Sequence, residues 1–323
     1  MGHSTISELP AEEQPFFAAR HLFGAGAVDR GRDLVDLMRM WRPDLVVHDT
    51  LELGSPTAAI LRGIPHVTHG YGPTVPGTTM FAAAIGSALA DAGLPDPIAD
   101  VLAAPYVDIC PPGLRGVEPN PWTTVHLLRP SPGEVELPAE TRLDLSGLPH
   151  PDTVYITLGT IVNQAPAVFR AVIDGCTRRT VNLVVTTGPE FDPAELEPLP
   201  PAVRVTPFLP QASVLPHCQA VISHAGAGTM LGALCYGLPQ LCLPQGTDQP
   251  SNTAALLSTG AGLALQPDEI TADAVADAVD RLIDEPSFRQ AAQRLRDEID
   301  SMPTAAAVLE DIFADHHANG GGR

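Results

Sequence analysis

Ala220-Val221-Ile222-Ser223-His224-Ala225-Gly226-Ala227-Gly228-Thr229-Met230-Leu231 is the stretch from which the rest of the chain can be read. An apolar run, Ala220 to Ile222, ends in Ser223-His224. Two glycines follow, then a segment of helical character from Thr229 to Tyr236. The pattern predicts a strand, a tight glycine turn and a helix N-terminus. Such a turn leaves backbone N–H groups unpaired, and the helix dipole adds partial positive charge. Glycine at 226 and 228 lets a ligand approach the backbone without meeting a Cβ. The natural guest is an anion, most often a phosphate, and His224 stands where its imidazole adds a donor to the same anion. The turn alone has an equally plain alternative, because many α/β proteins pass from strand to helix through Gly-x-Gly and bind nothing there. The spacing Gly226-x-Gly228-x-x-x-Gly232 also misses the dinucleotide fingerprint by one residue.

The downstream sequence favours the ligand. Gly237-Leu238-Pro239 leads into Leu241-Cys242-Leu243-Pro244 and then Asp248-Gln249-Pro250-Ser251-Asn252. This predicts a buried strand followed by a second polar loop that opens another helix. In a parallel sheet, loops at the carboxyl ends of neighbouring strands line one crevice. The glycine turn and the Asp248-Gln249 pair are therefore expected to face the same ligand.

Together, Phe208-Leu209-Pro210-Gln211, His224-x-Gly226-x-Gly228-Thr229, Gly237-x-Pro239, Pro244, Asp248-Gln249 and Asn252 resemble the donor signature of family-one glycosyltransferases. The nearest flavour is that of the bacterial enzymes that decorate antibiotic aglycones. The resemblance runs from about Phe16 to Ile312 and is specific from Tyr155 to Asn252. It implies a GT-B fold of class α/β, with two Rossmann-like domains built on parallel sheets.

Composition is compatible with that architecture. The chain has 323 residues, 44% of them hydrophobic, enough for two domains with real cores. A formal net charge of -20 argues against nucleic acid or an anionic membrane as partner, since both call for basic patches. An acidic chain can still hold a diphosphate, because a local nest of N–H groups decides that. All 18 basic residues are arginine; with 34 prolines, this suggests a high-GC bacterial genome. The five cysteines, Cys110, Cys176, Cys218, Cys235 and Cys242, form no CxxC pair and are expected to be buried free thiols in a reducing cytoplasm. No apolar run reaches membrane-spanning length, and Met1 to Pro15 lacks the apolar core of a signal peptide.

In chain order, helical spacing from about Arg20 to Trp41 is followed by a strand ending at His48 and Asp49. A helix is expected over Gly54 to Arg62, a strand over Ile64 to Thr68 and a helix over Thr78 to Ala92. Proline- and glycine-rich sequence covers Pro105 to Pro121. Only two convincing strands precede Pro105, and the chain opens on a helix, so the first half reads as an incomplete N-terminal domain. The resulting division is 1–124 for a partial acceptor-binding domain, 125–150 for a proline-rich linker and 151–323 for the donor-binding domain. In the last, strands are expected at Thr153 to Leu158, Val181 to Thr186 and Val203 to Thr206, and Thr271 and Ser287 as helix caps.

The resemblance assigns roles. The departing diphosphate would meet the N–H groups of Ala227, Gly228 and Thr229, with His224, Ala225, Gly226 and the Gly159-Thr160 turn around it; fixed donors of this kind need no reorganisation. Asp248 accepts from sugar hydroxyls, and Gln249 both donates and accepts; Asp248 as a helix cap is the plain alternative. Plant members place a tryptophan against the base, where this chain has Phe208-Leu209-Pro210-Gln211. Backbone contacts from Leu209 and Gln211 would read a pyrimidine, and uridine and thymidine both stay open. The family's general base is a histidine in the first N-terminal turn, oriented by an aspartate. Asp49 matches the aspartate; no residue matches the histidine. His66 and His69 are candidates for the acceptor side, with ordinary loop histidines as the alternative. With no DxD motif and no His/Cys metal spacing, phosphate neutralisation is expected to need neither metal nor cofactor. The implied partners are a nucleotide-sugar donor and a small-molecule acceptor. A truncated, non-catalytic donor-binding relative or accessory subunit, and a sugar-nucleotide epimerase, are the competing readings.

Overall fold

A computed structural model describes residues 16–17, 19–73, 80–115, 120–131, 147–159 and 166–320. The described elements form two parallel sheets. The first has four strands in the order β1 (Val46–Asp49), β2 (His66–His69), β3 (Tyr106–Asp108) and β4 (Val125–Leu127). Helices α1 (Ala25–Met40), α2 (Gly54–Arg62), α3 (Met80–Asp91) and α4 (Ile98–Ala103) connect and cover them. The alternation of short β-branched runs with amphipathic helices produces this layout, since parallel strands need crossover connections. Gly63 ends α2 in the left-handed conformation, φ +60°, the usual device for stopping a helix.

The second sheet has six parallel strands: β5 (Thr153–Thr157), β6 (Asn182–Thr186), β7 (Val203–Thr206), β8 (Ala220–Ser223), β9 (Gln240–Cys242) and β10 (Gly262–Ala264). Their spatial order is β10-β9-β8-β5-β6-β7, that of a doubly wound sheet, whose winding reverses between β5 and β8. Every residue of β5, β6, β8 and β9 is buried, as expected where helices shield both faces. Those helices are α5 (Pro166–Cys176), the short α6 (Gln211–Val214), α7 (Ala227–Cys235), α8 (Gln249–Thr259), α9 (Ala272–Asp284) and α10 (Pro286–Ser301). Thr271 caps α9 by accepting from the Ala274 N–H at 3.2 Å. Ser287 does not cap α10: Pro286 opens that helix and the cap position falls on Glu285, in keeping with proline's preference for the first helical turn.

Three expectations are corrected. Val125–Leu127 is not linker but strand β4, paired with β3. The stretch after Pro105, read as irregular, contains β3 and a 3-10 turn, Pro112–Leu114. The last helix, α11 (Ala305–Gly320), packs not on the second sheet but on the first: Val308 and Ile312 are buried with Val67 of β2 and Val107 of β3. Burying a side chain of that size is worth about 1.5–3 kcal/mol. Arg129 secures the crossing, its backbone N–H donating to the Pro303 carbonyl at 2.9 Å and its Nε to that of Met302 at 3.1 Å. The 3-10 turn goes the other way, burying Cys110 and Leu114 among side chains of α7, α8 and α10. All five cysteines are free; four are buried and Cys235 half-buried. Among the described residues, no helix is long and apolar enough to cross a membrane.

The first sheet holds a buried histidine pair. His48 Nε2 lies 3.2 Å from His66 Nδ1, and His48 Nδ1 is 3.0 Å from the Asp49 carbonyl. Burial lowers His66 to about 4 with help from His48 and against Asp100; burial also lowers His48, against Glu52 and Asp49. The unfolded chain, near the ordinary 6.5, takes up a proton first as pH falls. Folding stability from His66 is thus complete above pH 6.5 and is lost toward pH 4. The urea midpoint should fall across that window, and His66→Gln should fall less steeply over the same pH range.

Candidate functional site

The winding reversal between β5 and β8 positions the site. β5 ends at Thr157 and leaves through Leu158 and Gly159, whose φ is +83°. β8 ends at Ser223 and turns through His224, Ala225 and Gly226 into α7. Ala225 adopts φ +64°, which costs about 1–3 kcal/mol for a non-glycine residue. The surroundings hold it there. Ser223 Oγ accepts from the Ala225 N–H at 3.1 Å, and Asn252 Nδ2 donates to the Ala225 carbonyl at 3.1 Å.

The turn aims α7 at the cleft. No side chain caps its N-terminus, so the N–H groups of Ala227, Gly228 and Thr229 lack intrahelical partners. The two glycines have different reasons. A Cβ at Gly228 would meet nothing within 4 Å, so this glycine faces open cleft. A Cβ at Gly226 would run into His224 Nε2, and one at Gly159 would come within 2.7 Å of His224 Cε1. The His224 ring is wedged between two glycines on the two strands flanking the reversal. Its Nδ1 is buried with no hydrogen-bond partner among the described residues. Burial lowers its pKa, opposed by the Thr157 backbone and by Asp248. The imidazole is neutral at physiological pH and presents one N–H donor.

At the β9 end, Asp248 and Gln249 open α8 as expected, but both are partly committed to the protein. Asp248 does not cap the helix; its carboxylate accepts from Thr247 Oγ1 at 3.0 Å and Asn252 Nδ2 at 2.7 Å. Gln249 Oε1 accepts from the N–H groups of Gln245 at 2.7 Å and Gly246 at 3.2 Å. The expectation that Gln249 both donates and accepts is corrected: its oxygen holds the loop, leaving the amide N–H groups for a ligand.

One cavity of about 690 Å³ joins these parts. Gly159, Leu209, Gln211, His224, Gly226, Ala227, Gly228, Thr229, Asp248 and Gln249 all line it. Phe208 of the stretch set against the base lines it as well, and sequence reasoning missed Tyr155, Thr157, Thr186 and Tyr71, which line it too. On its floor, Tyr155 Oη lies 2.8 Å from Thr186 Oγ1, and Gln211 Nε2 donates to Thr229 Oγ1 at 2.8 Å. Thr186 was within reach of the strand reading, because it and Phe208 lie at the carboxyl ends of β6 and β7 on the same side of the sheet. Phe208 is 68% exposed, an aromatic face turned outward at the cavity wall. Thr160 falls outside the described residues.

Other candidates lie elsewhere. Ala225 is fully buried behind the turn. Asp49 ends β1, exposed, with Oδ1 accepting from the Leu51 N–H at 2.8 Å. His69 is its register partner at the end of β2. Neither lines the cavity. The expectation that His66 lines a crevice is corrected, since it points at His48 inside the first sheet. Among the described residues, no cluster of three or more His, Cys, Asp or Glu side chains is placed to hold a metal.

A doubly wound second domain with an uncapped helix N-terminus at its reversal, beside a smaller parallel sheet, has the GT-B architecture. Residues 24–128 match the N-terminal domain and 171–314 the C-terminal domain of the erythromycin biosynthesis protein CIII-like family. An L-demethylnoviosyl transferase of Streptomyces niveus is 32% identical, over 91% of this chain and 76% of the relative. A 10-deoxymethynolide desosaminyltransferase of Streptomyces venezuelae is also 32% identical, over 88% of this chain and 71% of the relative. The solved structure of the spinosyn rhamnosyltransferase SpnG with thymidine diphosphate superposes with a TM-score of 0.79 at 25% identity, covering 94% of this chain and 82% of that one. The chain belongs to the family-one antibiotic glycosyltransferases of GT-B fold.

The two glycines of the turn should respond oppositely to alanine. Gly226→Ala should cost about 1–3 kcal/mol by forcing out the His224 ring. Gly228→Ala should be neutral or stabilise by about 0.5–1 kcal/mol, because it adds a Cβ to a helix in open space. Thermal unfolding of the two variants beside the parent decides this.

Proposed function

We propose that this glycosyltransferase moves a sugar from a UDP- or dTDP-sugar to a hydroxyl of a small hydrophobic acceptor, with inversion and without a metal ion. The observation that carries the reading is the uncapped start of α7, with Gly228 open to the cavity at the sheet reversal. That seat suits a diphosphate: N–H groups, a helix dipole and the neutral His224 converge on one side. The remaining length of the cavity accommodates both ends of the donor. Thr186, Phe208 and Gln211 stand where a base and ribose would lie, and Asp248 and Gln249 where the sugar would lie. By their names the relatives transfer L-demethylnoviosyl and desosaminyl groups, and SpnG was solved with thymidine diphosphate, which favours dTDP.

The chemistry is a single displacement. The acceptor oxygen attacks the anomeric carbon from the face opposite the diphosphate. The anomeric C–O bond breaks and its electron pair leaves with the β-phosphate oxygen. The acceptor proton passes to a group on the first sheet. Asp49 and His69, opposite each other at the carboxyl ends of β1 and β2, are the candidates for taking it, directly or through water. The developing charge on the diphosphate is met by donors already in place, so no divalent cation is required for its neutralisation.

Isothermal titration with UDP and dTDP tests the donor seat. At least one should bind, and His224→Ala should weaken it about tenfold or more, roughly 1.4 kcal/mol. Gly228→Ala, although no less stable, should weaken it comparably, because its new methyl group occupies the diphosphate position. EDTA should change neither affinity. Absence of binding at millimolar nucleotide, or binding indifferent to both substitutions, would overturn the assignment.

A further inference from the structure

The loop after β2, Gly70-Tyr71-Gly72, brings a side chain of the first domain into the cavity of the second. Each flanking glycine is fixed by a different domain. The Gly70 N–H donates to the Val107 carbonyl of β3 at 2.8 Å, and a Cβ at Gly70 would overlap the Tyr106 hydroxyl. A Cβ at Gly72 would come within 2.7 Å of the Ala227 Cβ, the first residue of α7. Between these clamps the backbone has little freedom, and Tyr71 lines the cavity with Asp248 and Gln249. Its phenol is half-buried, within the electrostatic reach of Asp248 and Asp49, and no described residue takes its hydrogen bond.

Among the described residues, the Asp248-Gln249 pair leaves the cavity short of such a group. Asp248 can only accept while ionised, and Gln249 has committed its oxygen to the loop. Two ligand hydroxyls can donate to Asp248, but a hydroxyl or ring oxygen of the sugar that must accept has only the Gln249 amide. A neutral phenol fits that need. Burial, Asp248 and Asp49 all push the Tyr71 pKa up, so it keeps its proton and is a donor, not a base.

We infer that the Tyr71 hydroxyl donates a hydrogen bond to the sugar of the bound nucleotide-sugar, making a first-domain residue a specificity determinant for the donor. This rests on the nucleotide-sugar reading of the cavity. It places the contact on the sugar and not on the nucleotide, and that separates the two claims.

The test compares dTDP with dTDP-glucose, and UDP with UDP-glucose, by titration calorimetry on the parent and on Tyr71→Phe. The phenylalanine keeps the ring and its packing, and a melting temperature equal to the parent's shows that the clamp survives. Affinity for the free diphosphates should stay within about twofold, whereas nucleotide-sugar affinity should fall about five- to tenfold, the worth of one neutral hydrogen bond. An unchanged ratio between the two ligands overturns the role of Tyr71 and leaves the diphosphate seat standing. A loss shared equally by both ligands assigns Tyr71 to packing and also overturns it. If the parent binds no diphosphate at all, the donor reading fails and the inference with it.

Discussion

The site depends on one steric fit, the His224 ring held between Gly159 and Gly226. The ring spans the sheet where the winding reverses, and each glycine lacks the Cβ that would strike it. That fit fixes the turn from β8 into α7. The turn requires Ala225 in a left-handed conformation, and Asn252 on the following helix locks its carbonyl. Asn252 also steadies Asp248. A single packing arrangement therefore couples the turn into α7 with the Asp248 loop that opens α8. The strained alanine is tolerated because its N–H and carbonyl are both satisfied, which is how such outliers persist at functional sites.

The two domains share their covers. Leu114 of the first is buried under helices of the second, and α11, last in the chain, lies on the first sheet. The reaction as proposed needs groups from both sides of the cleft, Tyr71 and Asp49 against His224 and Asp248. Exchange of covers restricts how far the two sides can drift. The Gly72 contact with Ala227 brings that restraint to the N-terminus of α7 itself.

What was legible in the sequence follows from where the signal was local. The β8-turn-α7 unit and the Asp248-Gln249 loop could be read because strand hydrophobicity, glycine spacing and helix start all lie within a dozen residues. The unbroken buried apolar runs of β5 (Val154, Tyr155, Ile156) and β6 (Leu183, Val184, Val185) were similarly plain. The first half was harder. β3 and β4 have three residues each, too few to show periodicity beside prolines, and they are strands because neighbouring strands pair with them. The fate of His66 depended on His48 across the sheet, and that of the Gln249 oxygen on a loop backbone. Tyr71 gave no sign at all, because it reaches the cavity only where a loop of one domain meets a helix of the other. Gly226 was read as a ligand contact and does line the cavity; only tertiary structure adds that a Cβ there would strike His224.

The placement of α11 has a consequence for how the protein is made. Val67 and Val107 belong to the first sheet, yet the side chains that cover them, Val308 and Ile312, are synthesised only after the whole second sheet. At synthesis rates of about 5–20 residues per second, this apolar face stays uncovered for roughly 10–40 s. During that interval the second domain can assemble its own sheet, while the face carried by Val67 and Val107 lacks its cover. Chaperone occupancy on this chain should therefore be set less by the size of either core than by the delay before α11 reaches the first sheet.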